Sequence, residues 1–377
     1  MNVINKYISL CIGTAVLAAA AQSSVAAPFA VEARSLGMGN VSVATSDIAT
    51  AAFANPAMLS YQSQRDDFSF LIPGVGVYLD DSDGMVDLVD RYQAGGVDGA
   101  AALNTLTTGP AEVISPQVAV ATAIGFSGDT YSFAVAARSD IIAWGAVTGA
   151  PLNPDLTILG VQTTEVGVSL ARNFELMERK VSVGLTPKII NVKSIAYVES
   201  LSTVDAGSTG ILDNATETDH GDLSTVDAGV VMEVSESIQL GLVAKNLITD
   251  EVNIGLGTLS IDTELRAGIA YRGDFFALGA DLDLSENDPA ITPSSPALFA
   301  LQGEKTRMLL LGAEFNAFDF AQLRVGMQKN LASGISDKAK DALLTAGVGF
   351  WFGFHLDVSV ISGTDILGVF AQTGFRF

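Results

Sequence analysis

From about residue 66 onward, apolar side chains fall on every second position, the periodicity of a strand with one apolar and one polar face. The C-terminal stretch shows it most cleanly. Leu367, Val369, Ala371, Thr373 and Phe375 share one face, and Gly368, Gln372, Gly374 and Arg376 take the other. Just before it, Leu356, Val358 and Val360 alternate with His355, Asp357 and Ser359. Followed along the chain, the pattern predicts fourteen strands: 66–79, 112–126, 130–143, 158–173, 180–198, 221–234, 237–248, 258–272, 275–286, 306–317, 320–329, 342–352, 354–361 and 365–377.

Short turns such as Gly273-Asp274 and Gly353 alternate with longer links at 80–111, 144–157, 199–220, 249–257, 287–305 and 330–341. Bacterial outer-membrane barrels have this asymmetry, with short periplasmic turns and longer outside loops. The two faces are also distinct in chemistry. Val166, Val168, Leu170, Leu323, Val325 and Met327 lie on the apolar faces, whereas Glu264, Arg266, Asp281, Asp283, Glu314 and Arg324 lie on the alternate ones. Charges of both signs suit a polar lumen, where they pair, and would be costly against lipid. The expected fold is therefore all-β, a fourteen-stranded antiparallel transmembrane β-barrel over residues 66–377 with both termini in the periplasm. Within the 80–111 link, Met85, Leu88, Val89 and Tyr92 recur at helical spacing, so this outside segment is expected to be partly helical, an amphipathic flap over the barrel mouth.

The first residues follow other rules. Lys6, the apolar run Ile8 to Ala21 and the small residues before Ala26 make residues 1–26 a secretory signal peptide, cleaved after Ala26 on the way to the Gram-negative outer membrane. The only cysteine, Cys11, lies inside it, so the mature chain has neither disulfide nor thiolate. Residues 27–65 are small and weakly periodic, too irregular for a barrel strand and too apolar for a free tail. They are expected to fill the lumen as a plug. Gly37 and Gly39 permit tight turns there, and Ser46-Asp47 caps a short helix from Ile48 to Ala54 that Asn55-Pro56 ends.

Charge narrows the functions. The chain of 377 residues carries a formal net charge of -22, which becomes -23 when Lys6 leaves with the signal. Nucleic acid needs a basic footprint, so it is excluded as a partner. With two histidines, His220 and His355, in separate regions, no histidine metal site or triad is expected. Leu79 to Asp90 partly follows a calcium loop, but Leu79 occupies its first ligand position. No metal, cofactor or enzymatic activity is expected.

Two groups of residues carry a family resemblance. Arg34-Ser-Leu-Gly-Met-Gly-Asn40 and Phe53-Ala-Asn-Pro-Ala-Met58 resemble the N-terminal signature of FadL-like outer-membrane proteins, in which Asn55, Pro56 and Ala57 would lie on a plug inside a fourteen-strand barrel. Gly241-Leu-Val-Ala-Lys-Asn-Leu247, Arg266-Ala-Gly-Ile-Ala-Tyr271, Ala280-Asp-Leu-Asp-Leu284, Leu311-Gly-Ala-Glu-Phe315 and Leu323-Arg-Val-Gly-Met327 are similar, in that order, to the conjugal-transfer TraF-like branch of these barrels. The resemblance implies an envelope component accessory to plasmid transfer, in contact with other envelope or conjugation proteins. Its alternative implication is a FadL-like passive channel for a small hydrophobic ligand.

The final strand is also expected to act as the signal read by the barrel-assembly machinery, with Phe375 and Phe377 in an interfacial aromatic girdle contacting outer-membrane lipid. Deleting Phe377 is expected to lower the amount of folded protein in the outer membrane. Heat-modifiable gel migration of membrane fractions checks this; unchanged levels would discard the signal.

Overall fold

The structure, a computed structural model, describes residues 32–376 except 62–66, 82–83, 109–112, 151–152, 201–215, 256, 295–302, 317–319 and 365. The segment expected as a signal peptide, residues 1–26, and Phe377 lie outside the described residues. In chain order, the strands are β1 (Phe68–Asp80), β2 (Val113–Phe126), β3 (Tyr131–Ala150), β4 (Asn153–Leu176), β5 (Arg179–Ser200), β6 (Thr216–Ser235), β7 (Ile238–Lys245), β8 (Asp250–Asn253) and β9 (Gly257–Ile261). They continue with β10 (Glu264–Arg272), β11 (Phe276–Asp283), β12 (Ile291–Pro293), β13 (Met308–Asn316), β14 (Ala321–Asn330), β15 (Leu343–Trp351), β16 (His355–Gly363) and β17 (Ile366–Arg376).

Fourteen of them form one closed barrel, and β12, β9 and β8 form a separate three-stranded sheet. Each barrel strand pairs antiparallel with its sequence neighbours in the wall. The circle closes between β1 and β17, with Ser69 opposite Arg376 and Asp80 opposite Ile366. Where all fourteen strands are paired, closure leaves no unpaired edge, the condition for a sheet to cross hydrocarbon. β1 is interrupted. Around Pro73, which has no N–H to give, β1 shifts register against both β2 and β17. The hydroxyl of Thr122 donates to the Leu71 carbonyl at 2.8 Å beside that break.

The two faces separate as the alternation requires. On β14, Leu323 and Val325 are 51% and 57% exposed, whereas Arg324 between them is 4% exposed. Outward aromatic rings gather at the short-turn end. Phe126 stacks on Phe133 at 4.7 Å, Tyr271 on Phe276 at 5.3 Å, and Phe354 meets Phe375 at 6.4 Å.

At the long-loop end the wall departs from expectation. Residues 144–150, 153–157, 199–200 and 216–220, expected within links, instead lengthen β3, β4, β5 and β6; residues 151–152 and 201–215 lie outside the described residues, and the strand expected at 258–272 splits into β9 and β10. The lengthened strands are covered on both faces. On the inner face Trp144, Leu159, Val161, Ile190 and Val192 pack against Val252, Leu259 and Ile291 of the three-stranded sheet. Val147 and Leu156, opposite each other in the ladder, have the other parity and face outward. They receive the helices Met85–Ala94 and Gly96–Thr108 through Met85, Leu88, Ala102 and Leu106. The helical segment is thus present, but it packs on the outside of the raised wall rather than over the mouth. The apolar outward surface at Val147 and Leu156 stands beyond the polar Gln162 and Thr164, and the helices are what shield it from water.

Leu323→Arg places a guanidinium in the lipid band and is expected to cost about 2–4 kcal/mol of folding free energy. In lipid vesicles its folded fraction, read by heat-modifiable migration, should fall well below that of Leu323→Ala. Equal folded fractions would show that this face does not meet lipid.

Candidate functional site: the plugged lumen

The segment before β1 folds as three short helices, Ala33–Gly37, Ile48–Ala51 and Met58–Tyr61, inside the barrel. None is long enough to be stable alone, so packing decides their form. Asp47 and Thr50 form a capping box at the second helix, with the Asp47 N–H donating to Thr50 Oγ1 at 3.1 Å. That helix ends at Ala51, three residues before the expected Ala54. Ile48, Ala51, Met58 and Leu59 are buried with Leu71, Ala134 and Val231 of the wall.

Contact between plug and wall is made largely by main chain, because the wall presents glycine where the plug arrives. Gly184 pairs across the ladder with Gly229, Gly241 with Gly268, and Gly312 with both Gly279 and Gly326. All of these face inward. A Cβ on Gly229 would overlap Asn55 Oδ1, and one on Gly184 would overlap the backbone of Pro56 and Ala57. A Cβ on Gly312 or Gly326 would overlap the backbone of Met38 or Gly39. Gly39 itself, at φ +70, leaves no room for a side chain against Leu311 and Met327. Strand glycine at a close backbone approach is the expected physical pattern. The sequence carries a signal for it, glycines at inward positions of successive strands, which the alternation of apolar and polar residues does not register.

The Asn55-Pro56-Ala57 motif sits in this track. Asn55 is fully buried; its Nδ2 donates to the Val43 carbonyl at 2.9 Å, and its Oδ1 accepts from the Ala57 N–H at 3.1 Å. Gly37 lies against Ser359, and Thr345 Oγ1 accepts from the Gly39 N–H at 2.9 Å.

Charged groups complete the attachment. Arg34 Nε reaches Glu314 Oε2 at 2.9 Å, Arg324 reaches the same carboxylate at 2.7 Å, and Arg324 also meets Asp357 at 2.5 Å. Asp47 lies 3.9 Å from Arg34 and 3.6 Å from Arg376. The chain of ion pairs therefore runs from wall to plug and back to wall. Asp281 and Asp283, two residues apart on β11, have different work. Asp281 accepts the plug amides of Ser42 and Val43 at 2.7 and 3.0 Å, whereas Asp283 holds Arg266 at 2.5 Å. Lys245 Nζ donates to the Phe53 carbonyl at 2.5 Å, and Lys188 bridges Glu165 and Asp227 at 3.1 and 2.9 Å. Lys188, Asp227 and Gln239, whose side chain donates to the Ala44 carbonyl, are participants that the sequence did not single out.

Two of the spaces that remain have charged side chains in their linings. At the short-turn end a vestibule of about 400 Å3 is lined by Arg34, Asp47, Arg272, Glu314, Arg324 and His355. On the other side of the plug, a cavity of about 50 Å3 is lined by Glu32, Phe53, Arg138, Lys245, Glu264 and Arg266. Among the described residues no group of three or more metal-ligating side chains converges. His220 bonds Ser194 at 2.8 Å and His355 packs on Trp351 at 4.1 Å, so the two histidines serve separate neighbours. The arrangement holds one segment inside another.

Gly229→Ala is expected to destabilise the folded barrel by about 1–3 kcal/mol through overpacking, and Asn55→Ala by about 1–3 kcal/mol through its buried hydrogen bonds. Because removing the Asn55 amide makes room for the new methyl group, the double variant should lose less than the sum of the two. Urea unfolding midpoints of the four proteins measure this, and strict additivity would separate Asn55 from the glycine track.

The fold has known counterparts. A FadL homologue of Pseudomonas aeruginosa is similar at a TM-score of 0.54 and 12% identity, over 90% of this chain and 96% of that one. The toluene transporter TodX of Pseudomonas putida is similar at a TM-score of 0.53 and 13% identity, over 91% and 97%. At such identities the likeness concerns the fold: a FadL-type barrel of the outer-membrane kind. Among curated proteins none matches the chain. Residues 52–283, more than half of the sequence, match the family described as "F plasmid transfer operon, TraF, protein". With that match spanning the Asn-Pro-Ala motif, the glycine pairs at 184/229 and 241/268 and Asp281 alike, the chain belongs to this TraF family.

Proposed function

We propose that the protein is a sealed, non-enzymatic outer-membrane barrel that serves as an envelope component accessory to plasmid conjugal transfer. The observation that carries this reading is the filled lumen. Plug main chain lies against wall glycines from β5 to β15, and Arg34, Glu314, Arg138 and Arg266 stand among the residues that line the two cavities described above. A passage for apolar molecules needs an apolar lining, and a diffusing hydrophobic solute would have to displace these paired charges from one another. Family membership adds the setting of plasmid transfer. In this reading the protein reaches the outer membrane through its cleaved signal, is inserted through its C-terminal strand, and meets other envelope or conjugation proteins without touching nucleic acid.

The alternative is a passive channel for small hydrophobic solutes, favoured by the fold likeness to a toluene transporter. It requires the plug to move, because Arg34, Asp47, the 42–43 amides and the carbonyls of Ala33 and Phe53 are tied to five strands, β7, β11, β13, β16 and β17.

Donor cells lacking this protein are expected to show a reduced plasmid transfer frequency that the intact gene restores, and unchanged uptake of toluene. Unreduced transfer together with slowed toluene uptake would replace the first reading by the second. In planar bilayers the full-length protein is expected to stay nearly closed. A chain without residues 28–60 should either conduct, which gives the plug a gating capacity, or fail to fold, which makes it a structural keystone.

A further inference from the structure

The raised wall ends in an open edge. β6 pairs with β5 from Met232 up to Thr216, but its pairing with β7 on the other side stops at Ala228, opposite Ala244. Beyond that, the chain leaving β7 covers only residues 225–227. Leu247 donates to the Val226 carbonyl at 2.9 Å, Asn246 to Asp227 at 2.8 Å and Ile248 to Thr225 at 3.2 Å. Among the described residues, the stretch Thr216 to Ser224 has a strand partner on one side only. The three-stranded sheet comes alongside it. β8 is an edge of that sheet and lies next to β6 without pairing with it; Val252 of β8 and Leu223 share one apolar cluster. Two strand edges without a strand partner therefore flank the same strip of the raised wall.

The strip is acidic. Glu217, Asp219 and Asp222 lie on β6 and Asp250 and Glu251 on β8, all exposed. Lys193, 2.6 Å from Glu217, is the cation that the described ion pairs bring to them. At its middle, two residues of β6, His220 and Gly221 with φ +92, stand against Val192, a bulge that twists the edge. Asn191 fixes it through Asp222 at 3.0 Å.

We infer that the Thr216–Ser224 edge of β6 is a docking site for an extended, lysine- or arginine-bearing segment of a partner protein outside the cell, which adds to the wall as a further strand. At the bulge the Gly221 N–H is taken by Asp219 and its carbonyl by Asn191; on either side of it the backbone groups of the edge supply the sequence-independent part of such an addition. The five carboxylates select the sign of the partner's side chains and speed its approach. They exclude a second copy of this chain, since pairing two β6 edges would set acid against acid. Placing the partner outside rests on the proposed orientation, with short turns in the periplasm; the edge itself exists in either orientation.

The test uses the full-length protein in lipid nanodiscs and three fluorescein-labelled decapeptides read by anisotropy at low salt. These are an alternating lysine–threonine peptide, its glutamate counterpart, and the lysine peptide N-methylated at every second residue on the strand-pairing side. The lysine peptide is expected to bind, the glutamate peptide not to bind, and the N-methylated one to bind about tenfold or more weakly. Glu217→Lys with Glu251→Lys should weaken the lysine peptide while leaving the barrel's heat-modifiable migration unchanged. Thr218→Cys, a single cysteine introduced into a mature chain that has none, should form a disulfide with a cysteine placed in the bound peptide. Equal binding of the N-methylated peptide would reduce the interaction to charge alone and overturn the strand addition. Absence of binding would do the same, as would disulfide-linked dimerisation of the Thr218→Cys variant. None of these readouts depends on plasmid transfer, so their failure leaves the proposed function standing, and the reverse also holds.

Discussion

The interior of this barrel depends on how closely main chain approaches main chain. A fourteen-strand wall encloses more space than its own side chains fill, and a hydrated gap would leave Arg324, Asp357 and Asp281 exchanging partners with water. The N-terminal segment fills the space without large side chains. It lays its backbone on inward glycines and offers amides and carbonyls to Asp281, Thr345, Gln239 and Lys245. Once the backbone is that close, the ion pairs become short and largely dry. Removing one partner of such a pair leaves a buried charge, a more costly state than never having built the pair. Packing and electrostatics are therefore one constraint here, because each sets the distance at which the other operates.

Much of the wall was legible because lipid outside and charge inside impose different chemistry on alternate residues. That is why Arg324 and Leu323 could be assigned to opposite faces from their order alone. The same argument explains the failures. Along 144–157, Trp144 and Ala146 share a buried cluster with the three-stranded sheet while Val147 and Leu156 are covered by helices. A strand apolar on both faces shows no alternation, so the segment resembled a link. β12 spans three residues, too few to show any period.

The lumen was legible in kind and not in detail. Inward charges identify themselves by type and parity. Their partners do not, since Arg34 and Glu314 lie 280 residues apart in the chain and nothing local ties them together. Asp281 and Asp283 look alike in sequence, yet one takes plug amides and the other an arginine. The difference is made by where the plug turns at Gly39 and Asn40, both in the left-handed region.

The outward aromatic rings are distributed unequally. Among the described residues the exposed ones, from Phe126 and Tyr131 to Phe352 and Phe354, lie at the short-turn end, while the opposite rim of the lipid band carries aliphatic side chains such as Leu344, Leu367 and Leu284. Aromatic side chains hold a fixed depth at the headgroup level, whereas aliphatic ones tolerate a range of depths. The molecule is thus moored at one leaflet only. In a membrane that thickens or thins, the mismatch would be taken up at the far rim, so the raised outer wall would rise or sink relative to the cell surface while the short-turn end kept its level.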